Sequence, residues 1–249
     1  MLKQIIRIQI ENSIYDRLMA ESVRYAIISL PYTINRMNLI DIQSRITNIA
    51  KGKISEKIFL HFCDLNEIPV KTKNCETPFY LPDKRDFILG REEWDIKNNF
   101  LRHDGDILLT EDYLNLPGLV PNRGSWDQWS KKNSCLHAPE TESVCYLFSF
   151  MKGWKGKIPF VSIGISDDQS AFLIKLIQSS GIKEKPYQEK WFWSKMTKLG
   201  NGIPFTYVLN FHPELILCGL AQEKDFSRFI DLKPQLFQKG IFKTRIKNK

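Results

Sequence analysis

The sequence predicts a layered domain of the α/β (α+β) class, in which a central mixed β-sheet is flanked by helices. Three observations support this prediction. Apolar residues recur at helical spacing in the first quarter of the chain, short apolar runs typical of strands cluster in the middle, and helical and strand patterns mix afterwards. The 249 residues and the 43% hydrophobic content are sufficient for one sizeable core. We therefore expect a single domain over 1–249, elaborated by a helical N-terminal region at 1–50 and a loop insertion at 115–142.

Helices are predicted first along the chain. Residues 11–29 carry an apolar stripe at Ile14, Leu18, Val23 and Ala26. A second helix is predicted over 36–50, with Gly52 ending it, and a third over 54–66. Further helices are expected at 168–179 and 223–230.

Strands are predicted where the spacing of apolar residues changes. Residues 85–90 and 92–98 read as two strands joined by a tight turn at Gly90-Arg91. Other apolar runs with strand character lie at 106–110, 144–151, 158–165, 204–211 and 214–221. The segment 115–142 contains Pro117, Pro121, Gly124 and Pro139 and is predicted to be a long loop.

The charge balance favours a polyanionic partner. Lys and Arg total 36 against 28 Asp and Glu, which gives a net charge of +8 and a pI of about 9.1. Such a surface suits nucleic acid, although a solvated basic surface is the plain alternative. The basic C-terminal tail, residues 222–249, has the same two interpretations. The five cysteines are odd in number and show no CxxC spacing, as expected in a reducing, cytoplasmic compartment. No apolar run is long enough for a membrane helix, and no phosphate-binding glycine motif predicts a nucleotide cofactor.

The segment 92–99, EEWDIKNN, carries the chemistry. Alternate side chains of a strand share a face, so Asp95 and Lys97 are expected to point one way while Trp94 and Ile96 point into the core. A carboxylate can hold a hard cation such as Mg²⁺, and a neighbouring lysine can position or help deprotonate a water molecule. The plain alternative is an ion pair on a solvated sheet face.

Further acids are available for such a site. Asp86 opens the strand that pairs with Asp95, and three apolar residues follow it, so we prefer it to Asp83 as the second acid. Glu56 lies near the start of the predicted third helix and could reach the same end of the sheet. Alternatively, Glu56 is an acid favoured in the first turn by the helix dipole.

The order of these elements resembles the active-site core of the PD-(D/E)XK nuclease superfamily, which includes many restriction endonucleases. The order is Glu56 on a helix, Asp86 at the start of a strand, a hairpin, and then Asp95-Ile96-Lys97. The proline of that motif precedes Asp83 rather than Asp86 here. The resemblance covers about 45 residues. It implies a restriction endonuclease-like core and Mg²⁺-dependent phosphodiester hydrolysis that leaves 5′-phosphates. Asp86, Asp95 and the Ile96 carbonyl would hold the metal, Lys97 would orient the attacking water, and Glu56 would be an accessory ligand.

The resemblance further implies a sequence-specific endonuclease that acts on double-stranded DNA, as type II restriction enzymes do, and works as a homodimer. Two other hypotheses remain: a DNA-repair or junction-resolving nuclease, and a non-catalytic DNA-binding module with a nuclease fold. The loop 121–133 is polar, basic and aromatic, and we expect DNA contacts there. The candidate DNA-binding residues are Asn122, Arg123, Trp126, Gln128, Lys131 and Lys132. Cys135, His137 and Cys145 lack a fourth ligand at zinc-site spacing.

Overall fold

The computed structural model describes residues 6–33, 41–73, 75, 78–80, 85–101, 117–118, 144–154, 161–179, 186–222 and 230–231. The described helices are α1 (Asn12–Thr33), α2 (Ile42–Leu65), α3 (Asp167–Gln178) and α4 (Glu189–Leu199). The described strands are β1 (Ile6–Gln9), β2 (Val70–Lys71), β3 (Phe87–Leu89), β4 (Glu92–Leu101), β5 (Pro117–Gly118), β6 (Val144–Lys152), β7 (Val161–Gly164), β8 (Thr206–Leu209), β9 (Glu214–Gln222) and β10 (Ile230–Asp231).

A mixed six-stranded sheet forms the centre of the fold, with the strand order β1-β9-β6-β4-β3-β2. Strands β2, β3 and β4 pair antiparallel, whereas β4 and β6 run parallel, with Asp95 opposite Tyr146 and Lys97 opposite Phe148. Strands β6, β9 and β1 continue antiparallel. The predicted mixed α/β architecture is confirmed, and β4 lies inside the sheet with a hydrogen-bonded neighbour on each side.

Helix α2 packs on β4 and also packs against α1. Asp41 begins α2, because its carboxylate accepts hydrogen bonds from the N–H groups of Gln43 and Ser44 at 3.2 and 2.9 Å. Both helices bury apolar residues completely, and the core includes Met19, Val23, Ile27, Ile46, Ile54, Ile58 and Phe59. Burial of this kind stabilises a helix more than its local propensity does.

The prediction that Gly52 separates two helices was wrong. Helix α2 runs without a break from Ile42 to Leu65, and its start at Ile42 also falls later than predicted. Ser55 Oγ donates a 2.7 Å hydrogen bond to the Gly52 carbonyl inside the helix. The buried residues Ala50 and Ile54 on either side pack into the same core, and this packing offsets the roughly 1 kcal/mol that a glycine costs in a helix interior.

A separate two-stranded ribbon of β7 and β8 lies in the C-terminal half, accompanied by α3 and α4. Ser166 and Gln169 form a capping box at the start of α3. The buried Gln169 amide also lies 2.8 to 3.0 Å from three carbonyl oxygens near the end of α4, those of Met196, Ile203 and Pro204. One side chain therefore begins α3 and ties it to the loop after α4.

Several other predictions of the sequence analysis can be compared with the described residues. The helices at 11–29 and 168–179 and the strands at 85–90, 92–98, 144–151 and 214–221 are confirmed within a few residues, and 158–165 and 204–211 contain shorter strands. The strand β1 at the N-terminus was not anticipated. The run 106–110, most of 115–142 and residues 223–229 lie outside the described residues, and Ile230 is in a strand. No helix among the described residues is long and apolar enough to cross a membrane.

Candidate active site

The turn between β3 and β4 brings Asp86 against the middle of β4. The Asp86 N–H donates to the Trp94 carbonyl at 2.9 Å, and Oδ2 of Asp86 accepts a 2.6 Å hydrogen bond from the Ile96 N–H. Gly90 makes this turn possible, because its φ of 67° lies in the left-handed region that favours glycine. The predicted proximity of Asp86 to the Asp95-Ile96-Lys97 segment is therefore observed.

Asp95 and Lys97 share one face of β4. Lys97 Nζ lies 2.5 Å from Asp95 Oδ2, and both side chains are about one fifth exposed. Trp94 and Ile96 are buried on the opposite face, toward α2, as the alternation of the strand predicts. The carboxylate and the ammonium are thus paired at a position that solvent still reaches.

Three aromatic rings set the relative positions of α2, β3 and β4. The Phe59 ring lies 4.9 Å from the Phe87 ring, which stacks on Trp94 at 6.0 Å between centroids, and all three residues are fully or almost fully buried. Each ring is next to one candidate acid. Asp86 precedes Phe87, Asp95 follows Trp94, and a third acid, Glu56, lies one helical turn before Phe59.

A polar link joins α2, β4 and β6 farther along the sheet. Ser149 Oγ on β6 donates to Asn98 Oδ1 at 3.0 Å, and Asn98 Nδ2 on β4 lies 3.5 Å from the Lys51 carbonyl of α2. Ser149 is completely buried. The helix that carries Glu56 is therefore held to β4 by both apolar packing and a hydrogen-bonded chain.

Glu56 lies in the middle of α2, so its assignment to a first helical turn was wrong. The helix continues through Gly52, and the positive end of its dipole is several turns away. Instead, Glu56 Oε2 accepts a 2.6 Å hydrogen bond from Lys53 Nζ, one turn earlier on the same face of the helix. Both side chains are less than one fifth exposed.

The electrostatics of Asp86 show that the acids lie within range of one another. Burial raises the pKa of the Asp86 carboxyl well above its ordinary value, and the negative charges of Glu56 and then Asp95 raise it further. The Lys53 ammonium and the hydrogen bond from the Ile96 N–H lower the pKa of Asp86. Three carboxylates from three elements therefore act on the same small region.

The chemistry of this donor set fits a hard divalent cation. Carboxylate oxygens are ligands that Mg²⁺ prefers, and a cation between Asp86, Asp95 and Glu56 would relieve their mutual repulsion. Within the described part of the chain, however, no three His, Cys, Asp or Glu side chains are already grouped to hold a metal ion. Lysine ammonium groups contact Asp95 and Glu56 instead.

Two charged groups beside the site were missed in the sequence analysis. Lys53 is three residues before Glu56, and this i,i+3 spacing on a helix is the signal that would have found it. Arg85 Nε donates to Glu93 Oε2 at 2.5 Å across the hairpin. In the sequence, the Arg85–Glu93 pair becomes visible only once the register of the hairpin is known.

Other predicted site residues lie outside the described part of the chain. Asp83, the rival to Asp86, is among them. So are all six candidate DNA-binding residues: Asn122, Arg123, Trp126, Gln128, Lys131 and Lys132. Cys145 is described and buried on β6.

Comparison of the chain with protein families, with curated proteins and with solved structures finds no match in any of the three. The interpretation of the site therefore depends on the positions and chemistry of its own residues.

Proposed function

We propose that this protein is a Mg²⁺-dependent deoxyribonuclease of the PD-(D/E)XK type, with Asp86, Asp95, Lys97 and Glu56 as its active-site residues. The observation that carries the proposal is the 2.6 Å hydrogen bond from the Ile96 N–H to Asp86, which joins the first acid to the Asp95-Ile96-Lys97 segment. The order of the elements supports it. Glu56 is on a helix, Asp86 opens a strand, and a hairpin leads to the paired Asp95 and Lys97.

Asp86, Asp95 and the Ile96 carbonyl would hold the metal ion, with Glu56 as an accessory ligand. When bound, Mg²⁺ supplies Lewis-acid stabilisation of the negative charge that builds on the scissile phosphate. The accessibility of Asp95 and Lys97, each about one fifth exposed, allows a phosphate group to approach them.

Lys97 would orient the attacking water and assist the loss of its proton. A lysine on a strand beside a carboxylate has a restricted range of positions, so its ammonium is placed before the substrate arrives. Asp95 provides this restriction through its contact with Lys97 Nζ. The products would carry 5′-phosphates.

We further propose double-stranded DNA as the substrate, sequence-specific cleavage in the manner of a type II restriction endonuclease, and action as a homodimer within the cytoplasm. The net charge of +8 supports a polyanionic substrate. A two-fold symmetric dimer would allow both strands of a symmetric site to be cut. The candidate base contacts are those of the loop 121–133.

A second candidate is a non-catalytic DNA-binding module. The observation in its favour is that no three potential metal ligands are already grouped among the described residues. Tight DNA binding without Mg²⁺-dependent cutting would select this alternative. Cleavage confined to branched substrates, whatever their sequence, would select a repair or junction-resolving nuclease.

The test is an incubation of the purified 249-residue chain with unmodified phage DNA, with Mg²⁺ in one sample and EDTA in the other. Discrete fragments that form only with Mg²⁺ are the expected result, and a smear would indicate a nuclease without sequence specificity. The Asp95→Ala variant, purified in the same way, is the matched control, because cleavage by a contaminating nuclease would persist in that preparation. The same incubation is repeated with branched and with single-stranded DNA. The proposal would be overturned if every one of these DNA substrates stayed intact in the presence of Mg²⁺.

A further inference from the structure

Lys53 is a charged residue of the candidate site that the order of the motif does not include. Its Nζ donates a 2.6 Å hydrogen bond to Glu56 Oε2 and lies 5.0 Å from the centre of the Tyr25 ring on α1. The side chain is only 17% exposed. It is therefore held between a carboxylate and an aromatic face rather than extended into solvent.

The position of Lys53 relates it to Asp86 as well. Its positive charge lowers the pKa of the Asp86 carboxyl, whereas the negative charges of Glu56 and Asp95 raise that pKa. Of the lysines on α2, Lys57 provides a contrast, because its Nζ lies 2.8 Å from Glu21 and both of those side chains are more exposed. Lys53 thus contacts Glu56 within electrostatic reach of Asp86, whereas Lys57 belongs to a more exposed pair.

We propose that Lys53 acts on the candidate site through Glu56: its ammonium neutralises the Glu56 carboxylate until a divalent cation binds at Asp86 and Asp95. This inference rests on the proposed function, because it assumes that the three acids receive a metal ion. The charge of Lys53 explains why the three acids can remain close together when no metal ion is bound. It also means that the Lys53 ammonium opposes metal binding, since two cations close together at the edge of a protein interior repel each other.

The two possible roles of Lys53 predict opposite results. If Lys53 mainly neutralises Glu56, its replacement by an uncharged residue of similar length removes a repelling cation and tightens metal binding. If Lys53 is needed to hold Glu56 in a binding geometry, the same replacement weakens metal binding. The affinity of the protein for a metal ion, measured without DNA, therefore distinguishes the two roles independently of cleavage.

The experiment is a titration of the 249-residue chain with Mn²⁺, followed by electron paramagnetic resonance of the free ion, at one fixed pH and ionic strength. Lys53→Met is expected to bind Mn²⁺ roughly tenfold more tightly than the wild type. Lys53→Arg keeps the charge and is expected to stay within about twofold of the wild type. Lys57→Met is the matched control on the same helix and is expected to leave the affinity unchanged. Lys53→Gln provides a second uncharged variant if Lys53→Met does not fold.

The failures are distinguishable. Equal or weaker Mn²⁺ binding by both uncharged Lys53 variants, with a wild type that binds Mn²⁺ through Asp86, would overturn the role of Lys53 and leave the proposed function in place. A wild type that binds no Mn²⁺, or binds it as tightly after Asp86→Asn, would overturn the metal site and this inference together.

Discussion

The backbone N–H of Ile96 donates a 2.6 Å hydrogen bond to Oδ2 of Asp86. Asp86 thereby lies directly against the strand segment that carries Asp95 and Lys97. This contact joins two parts of the chain that the hairpin separates by ten positions in sequence. It also means that a change at Asp86 affects the geometry of β4, so variants at this position must preserve the hydrogen-bond acceptor.

Lys97→Met is expected to lower Mg²⁺-dependent DNA cleavage by at least about 100-fold, because it removes the group that orients the attacking water. Met keeps the length of the apolar stem, so the packing of β4 should remain. Initial cleavage rates give the loss, and DNA binding in EDTA shows whether the surface is intact. Lys57→Met is the matched control, since its ammonium pairs with Glu21 away from the acids. Full cleavage activity in Lys97→Met would show that this strand is not the active site.

Asp86→Asn is expected to change how stability depends on pH. The pKa of Asp86 is raised in the folded protein and has its ordinary value, about 4, in the unfolded chain. The folded state therefore binds this proton more tightly, and the wild type loses stability as the pH rises from about 4 through the folded pKa. Asn cannot titrate and can still accept the hydrogen bond from Ile96.

Urea unfolding of both proteins in EDTA, from about pH 4 to pH 9, measures this effect. The free energy of unfolding of the wild type minus that of Asp86→Asn should fall as the pH rises and become constant above the folded pKa. Groups that titrate alike in both proteins cancel in this difference. A difference that is constant or increases with pH would contradict the electrostatic environment described for Asp86.

Trp94→Ala is expected to reduce the free energy of unfolding by about 3–5 kcal/mol, because it removes a large, fully buried ring from the core. The ring stacks on Phe87, so the variant should also disturb the position of Asp86 and reduce cleavage. Trp191→Ala is the control, since Trp191 is 48% exposed and its loss should cost about 1 kcal/mol or less. Equal costs for the two variants in urea unfolding would contradict the packing of β4 on α2.

Gly52→Ala is expected to stabilise the protein by about 0.5–1 kcal/mol, because Gly52 lies inside a continuous helix and an added Cβ would meet no atom within 4 Å. Gly90→Ala is the opposite case. Its φ of 67° belongs to the left-handed region, and a side chain there costs about 1–2 kcal/mol. Thermal or urea unfolding of both variants shows whether each substitution raises or lowers the free energy of unfolding. Destabilisation by Gly52→Ala would indicate that α2 is broken at this residue.

The sequence predicted the local parts of the candidate site correctly. The alternation of Trp94, Asp95, Ile96 and Lys97 separates a buried face from an accessible one, and the structure has both faces as predicted. The tight turn at Gly90 made the pairing of β3 with β4 predictable, because only short connections join antiparallel neighbours directly. These features depend on residues close together in the chain.

The helical region shows where local patterns fail. Glycine usually weakens or ends a helix, so the sequence predicted two helices around Gly52, whereas burial of both flanking segments maintains a single helix. Consequently Glu56 is in the middle of α2, and its charge is balanced by Lys53 rather than by a helix dipole. Local propensity could not predict this, because the packing of α2 on β4 involves residues far apart in sequence.

By itself, the sequence determined the class of the fold, the hairpin, and the sides of β4 on which Asp95 and Lys97 lie, since a period of two or of 3.6 residues is a local property of the chain. Only the tertiary structure decided that β4 runs parallel to β6 and that α2 continues through Gly52. It alone brought Glu56 and Lys53 within electrostatic reach of Asp86. The placement of α2 against β3 and β4 involves the packing of Phe59, Phe87 and Trp94, which becomes favourable only when distant segments exclude water together.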